Sequence, residues 1–99
     1  MAELTIIFWR DIPAQVIARA GRRSAKRELA PRFQAAIDEA AMRGGARETD
    51  AYLAEWRRGE PLPCSDDLEQ AAAEAAARLD RDYDPARVAR LIAAEGREA

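Results

Sequence analysis

The chain has 99 residues, the size of one domain with one hydrophobic core; its 48% apolar share is weighted toward alanine, whose methyl group adds little buried area. With one cysteine, Cys64, and no histidine, an internal disulfide is impossible, an internal zinc site is all but excluded, and His-based catalysis is absent, leaving carboxylate, Lys26 or tyrosine chemistry. The net charge of −2 hides an asymmetry: residues 1–47 hold nine Lys/Arg against five Asp/Glu, and residues 48–99 seven against thirteen, so faces of opposite sign are expected if the halves segregate.

The run Leu4–Trp9 is rich in β-branched and aromatic residues and too short for a typical helix, which predicts a strand. No basic segment precedes it and no small-residue cleavage site follows, so it does not read as a signal peptide. No apolar stretch approaches the ~20 residues of a membrane span, and a cytoplasmic protein is the expectation. Asp11-Ile12-Pro13 supplies a turn, and Ala14–Ala20 a second strand ending at Gly21, which together predict a hairpin.

Ser24 is a candidate cap for a helix whose apolar positions Leu29, Phe33, Ala36, Ile37, Ala40 and Ala41 recur at helical spacing up to Gly44-Gly45. Pro31 is harmless only at the first helical position, so the helix either begins near Ala30 or bends there. Asp50–Arg58 fits both periods and is read as a third strand. Gly59–Pro63 is a rigid connector, and Asp66 with Glu69 forms a capping-box pattern for an alanine-rich helix reaching about Asp82. Asp84 and Pro85 open a short last helix with Val88, Leu91 and Ile92 on its apolar face, and the final residues are expected to fray. The sum is an α+β domain over residues 1–99, with a core at about 3–92. It has a small antiparallel sheet of about three strands in ββαβαα order, with helices packed on one face.

Arg19, Arg22, Arg23, Lys26, Arg27 and Arg32 make a basic cluster between the second strand and the first helix. Such a run either coats a solvated surface, partly paired with Glu28, or contacts an acidic protein, an anionic ligand or phosphates. Trp9-Arg10 and Trp56-Arg57-Arg58 place indoles beside guanidinium groups. If their strands are neighbours, they form one aromatic and cationic patch of the residue types enriched at binding hot spots; the competing reading buries both indoles in the core. Cys64 precedes a helix start, but Asp66 and Asp67 disfavour a thiolate there, and it reads as an inert thiol. The carboxylate pairs Asp38-Glu39, Asp66-Asp67 and Asp80-Asp82 read as solvated helix surface, the second also favouring its helix dipole. No catalytic residue, metal ligand or cofactor is assigned.

The segments LTIIFWRDIPAQVIARAGRR, SAKRELAPRFQAAIDEAA and TDAYLAEWRRGEPLPC together resemble the small bacterial family called the virulence factor domain, over about residues 3–92. The resemblance rests on the order and spacing of WRDIPAQV, KREL and YLAEWRR. The family name records a phenotype and assigns no reaction. Members resemble either stand-alone proteins of this length or a domain beside helical repeats, which implies an interaction role. Stand-alone alphaproteobacterial members are encoded near folate-linked and corrinoid-dependent methyl-transfer enzymes, so the resemblance implies an accessory subunit in one-carbon metabolism.

Three readings follow. The first is a non-catalytic accessory domain that binds a partner protein, such as a methyl-transfer enzyme, through Trp9, Arg10, Trp56, Arg57, Arg58 and the basic residues Arg19, Arg22, Arg23, Lys26 and Arg27. The second is nucleic-acid binding through the cluster at residues 19–32, and the third an enzyme subunit whose site a partner chain completes. No membrane contact is expected, and a homo-oligomer stays open.

Overall fold

The computed structural model describes residues 2–46 and 48–98. Five strands and four helices occur among them: β1 (Glu3–Trp9), β2 (Ile12–Ala20), β3 (Arg23–Glu28), α1 (Pro31–Arg43), α2 (Thr49–Ala54), β4 (Trp56–Arg58), β5 (Leu62–Pro63), α3 (Leu68–Asp82) and α4 (Pro85–Ala93). The α+β class and the antiparallel sheet are those expected, but the sheet is larger. Its order is β3-β2-β1-β4, with β5 also pairing along β1. No helix among the described residues is long and apolar enough to cross a membrane.

β1 and β2 pair from Glu3↔Arg19 to Trp9↔Ile12, and the register shifts between Ile7 and Phe8 so that Ala14 is an extra residue on β2. Pro13 lies in this strand, not in the turn assigned to it, and is tolerated beside the bulge, where ladder hydrogen bonding is already interrupted. The tight turn is Arg10-Asp11, with Arg10 at φ 53°.

Further expectations need correction. Of the two starts left open for the first helix, the one near Ala30 is realised, with Pro31 as its first residue; Ser24 does not cap it, and Arg23–Glu28 pairs with β2 instead, from Gln15↔Glu28 to Ala20↔Arg23. Gly21, at φ +62°, reverses the chain just before it, and pairing then overrides the helical preference of Ala, Lys, Arg and Glu. The strand assigned to Asp50–Arg58 is split: Thr49–Ala54 is helical, and only Trp56–Arg58 joins the sheet. In the connector, Leu62 and Pro63 pair with Leu4 and Glu3. The α3 cap is Asp67, which accepts from the Gln70 N–H at 3.2 Å, and Asp84 caps α4 as expected, accepting from the Arg87 N–H at 2.8 Å.

The buried residues form two connected groups. Leu4, Val16, Ala18 and Ala25 share one sheet face and pack under Leu68, Ala72, Ala75 and Leu79 of α3. Trp9 and Ile12, at the turn end of the sheet, pack with Phe33, Ile37 and Ala40 of α1 and Val88 and Leu91 of α4. Leu29 and Tyr83 touch both groups. Burial pushes the Tyr83 hydroxyl above its ordinary range, so it stays protonated at neutral pH.

The last correction concerns the tail, expected to fray and instead tied down through Glu98. The Asp11 N–H donates to the Gly96 carbonyl at 2.8 Å, the Glu98 N–H donates to Asp11 Oδ2 at 2.6 Å, and Arg87 holds the Glu98 carboxylate through Nε at 2.9 Å and Nη2 at 2.7 Å. Gly96, at φ +90°, lies so close to the indole that a Cβ there would be 3.0 Å from Trp9 Cζ3. Gly96→Ala is therefore expected to lower unfolding free energy by about 1–3 kcal/mol in urea titration. The Arg87 hydrogen bond holds the Glu98 carboxyl below its ordinary value. A depressed carboxyl pKa stabilises the fold above the unfolded value, ~4.3 for Glu, and that contribution is lost as pH falls through the folded value. Glu98→Gln should accordingly lower the urea midpoint near neutral pH and flatten its decline in acid. An unchanged acid limb would mean the latch is not formed in solution.

Candidate functional site

Strand alternation sorts the polar side chains. Opposite the α3 face, the registers align Arg58, Ile7, Gln15 and Glu28 in one rank across the sheet, Thr5, Ile17 and Lys26 in the next, and Glu3, Arg19 and Ser24 in a third. Ile7, Ile17, Thr5 and Gln15 are half-buried, whereas their counterparts Val16 and Ala18 under α3 are fully buried. This face is open, with an apolar centre and Arg58, Lys26 and Arg19 around it.

Trp56 stands at its end. It is half-buried, with the Tyr52 ring edge-on at 5.9 Å. Its indole walls two adjoining depressions. One, of about 380 Å³, lies toward α1 between Gln15, Glu28, Leu29, Pro31 and Gln34; the other, of about 360 Å³, runs onto the sheet between Ile7, Gln15, Ile17, Arg57 and Arg58. Gln15 also lines both.

The two tryptophans are cross-strand neighbours, as the patch reading requires, yet only one is available. Trp9 is 0% exposed: its Nε1–H donates to the Tyr52 carbonyl at 2.9 Å, and its ring stacks on Tyr52 at 5.8 Å. Arg10 is spent beside it, with its guanidinium 4.8 Å above the Trp9 ring, Nη1 donating to the Glu95 carbonyl at 2.7 Å, and Nε paired with the Glu55 carboxylate at 3.3 Å. Arg57 covers Phe8 at 4.4 Å, donates to the Arg10 carbonyl at 2.8 Å and pairs with Asp11 at 3.0 Å. Trp9 and Arg10 are therefore enclosed in packing, whereas Trp56, Arg58 and the exposed Arg57, which also lines the second depression, stay accessible.

The basic cluster also divides. Arg32 pairs with Asp80 at 3.1 Å and covers Phe33 at 4.3 Å, joining α1 to the end of α3. The other five belong to the β2–β3 hairpin. Arg19 and Lys26 have the parity of the open face, Arg23 and Arg27 that of buried Ala25, and Arg22 is in the turn. All five are exposed, and no salt bridge to any of them forms among the described residues. Gln15, Gln34, Ile7 and Ile17, which line the depressions, were not singled out in the sequence. The one signal available for Ile17 was its strand parity with Gln15 and Arg19, the polar residues two positions to either side of it in β2.

Among the described residues, no three His, Cys, Asp or Glu side chains gather as a metal-binding group. Fold and surface thus define a small α+β domain whose helices leave part of a sheet face uncovered. The chain belongs to the Virulence factor family, whose model matches residues 7–92. Nothing matches it among curated proteins or solved structures.

The unequal burial of the indoles gives a direct check. Acrylamide quenching of Trp56→Phe, which retains only Trp9, should be weak, whereas Trp9→Phe, if folded, should quench readily. Equal quenching of both variants would contradict the arrangement.

Proposed function

We propose that this chain is a non-catalytic accessory domain that docks a partner protein on the open sheet face. The observation that carries the reading is the position of Trp56 as the shared wall of two adjoining depressions, next to half-buried Ile7 and Ile17 and to Arg58. Tryptophan and arginine flanking a partly apolar surface are the residue types that dominate binding energy when a partner excludes water from them.

Size constrains the mode. The open ranks span about 16 Å along the strands and about 14 Å across four of them, on the order of 200 Å² before side-chain relief. A stable interface covers roughly 800 Å² per partner. The partner must then reach beyond the ranks, into the depression beside α1 and over the hairpin. For its identity, the resemblance to proteins encoded beside folate- and corrinoid-dependent methyl-transfer enzymes supports one of those as the first candidate.

The test is affinity capture from native lysate, identification of stoichiometric proteins, and titration of the purified partner against wild type, Trp56→Ala and Arg58→Glu. We expect roughly 30-fold weaker binding for Trp56→Ala, from a hot-spot loss of about 2 kcal/mol, measured where urea titration shows the variant still fully folded. Failure to capture any partner, or equal affinity of wild type and Trp56→Ala, would overturn the proposal, as would a self-associating chain that uses this face for a second copy.

A further inference from the structure

Taking the chain as a protein-binding domain, we infer that the free edge of β3 receives an extended acidic segment of the partner as an additional strand. β3 ends the sheet, since the order is β3-β2-β1-β4. The Leu29 N–H donates to the Ala14 carbonyl at 3.0 Å, which identifies Ala14 and Leu29 as a hydrogen-bonded pair of the β2–β3 ladder. Such pairs recur every second residue, so Arg27, Ala25 and Arg23 turn their backbone groups toward β2. Ser24, Lys26 and Glu28 turn theirs outward, and all three are exposed. Three residues' worth of strand donors and acceptors thus stands ready for one more strand.

The charges around this edge select what adds to it. Arg19 and Lys26 stand on one side of the sheet, Arg23 and Arg27 on the other, and Arg22 at the turn, against a single carboxylate in β3, Glu28. Cations spread over both sides of one strand make a poor flat surface for a phosphate backbone. They suit an incoming strand, whose side chains alternate between the two sides and meet their neighbours about 5 Å away. A second copy is disfavoured. In the antiparallel registers that align the outward groups, Lys26 falls on Lys26, or Arg23 on Arg27, or Arg27 on Arg27, the last offset by pairing Lys26 with Glu28, and like charges directly opposite destabilise a sheet. An acidic strand reverses the sign of those pairs. It would also extend the open face by one strand on the side of Glu28, which lines the depression shared with Trp56.

The experiment uses the full chain and a synthetic peptide of about eight residues alternating Glu with Thr or Val, with the Lys-containing counterpart as control. NMR amide exchange should show new protection at Ser24, Lys26 and Glu28 on saturation with the acidic peptide and not with the basic one. Lys26→Pro removes the central outward donor without touching the β2 ladder. It should weaken binding about tenfold, the worth of one strand hydrogen bond plus the stranded acceptor. Charge reversal, Lys26→Glu with Arg27→Glu, gives the same loss by a route that needs no proline. The inference is overturned if the three amides gain no protection, if the basic peptide binds as tightly, or if single-stranded DNA binds more tightly than the acidic peptide at physiological salt. A natural partner lost by Trp56→Ala but retained by Lys26→Pro and by the charge reversal would leave the docking face standing and remove only the added strand.

Discussion

A single indole is shared by most of the molecule. Trp9 ends β1, donates its N–H to α2, stacks on Tyr52, packs among residues of α1 and α4, and carries Gly96 of the tail against its ring. Burying about 200 Å² of tryptophan removes on the order of 5 kcal/mol of unfavourable hydration, as an upper value. In a small domain with a net stability of about 5–15 kcal/mol and a core rich in alanine, only Phe33 among the fully buried side chains approaches that share. The turn at Arg10-Asp11 and the tail through Glu98 are arranged around that site, since each offers its polar groups to the other while the indole fills the space beneath.

That arrangement explains which arginines are left for a partner. Arg10, Arg57, Arg87 and Arg97 surround the sealed indole and the tail, where each is held by a carboxylate or carbonyl. They are tied down there because the turn and the tail expose backbone carbonyls and acidic side chains that need donors, while Arg57 also stays exposed beside Trp56. Among the described residues the hairpin arginines and Lys26 form no salt bridge, even though Glu3 stands across from Arg19, and β3 is an edge strand with solvent on one side. The charge asymmetry along the sequence therefore becomes an uneven surface: compensated charge around the tail, uncompensated positive charge along one sheet edge.

Much of the architecture was legible where a local signal stood alone. β1 is too short and too β-branched for anything else, α1 follows from helical spacing after Pro31, and α4 follows from Asp84 and Pro85. The errors share a cause. Arg23–Glu28 is composed of helix-favouring residues and becomes a strand because Gly21 folds it back onto β2, a partner that no local window contains. Leu62-Pro63 and Trp56–Arg58 are strands only because β1 offers them its second edge. The tail is ordered by contacts with residues more than eighty positions away.

The amino-acid order by itself determined the α+β class, the hairpin, three of the helices, the family resemblance and the pairing of indole with guanidinium at two places. Periodicity and caps act within a few residues and leave their mark there. Only the folded arrangement decided that Trp9 is consumed and Trp56 is not, and that the basic run is split between an ion pair at α3 and the free edge of β3. Burial and charge pairing depend on which distant elements come to lie alongside, and that is a property of the assembled sheet and its helices, not of any segment.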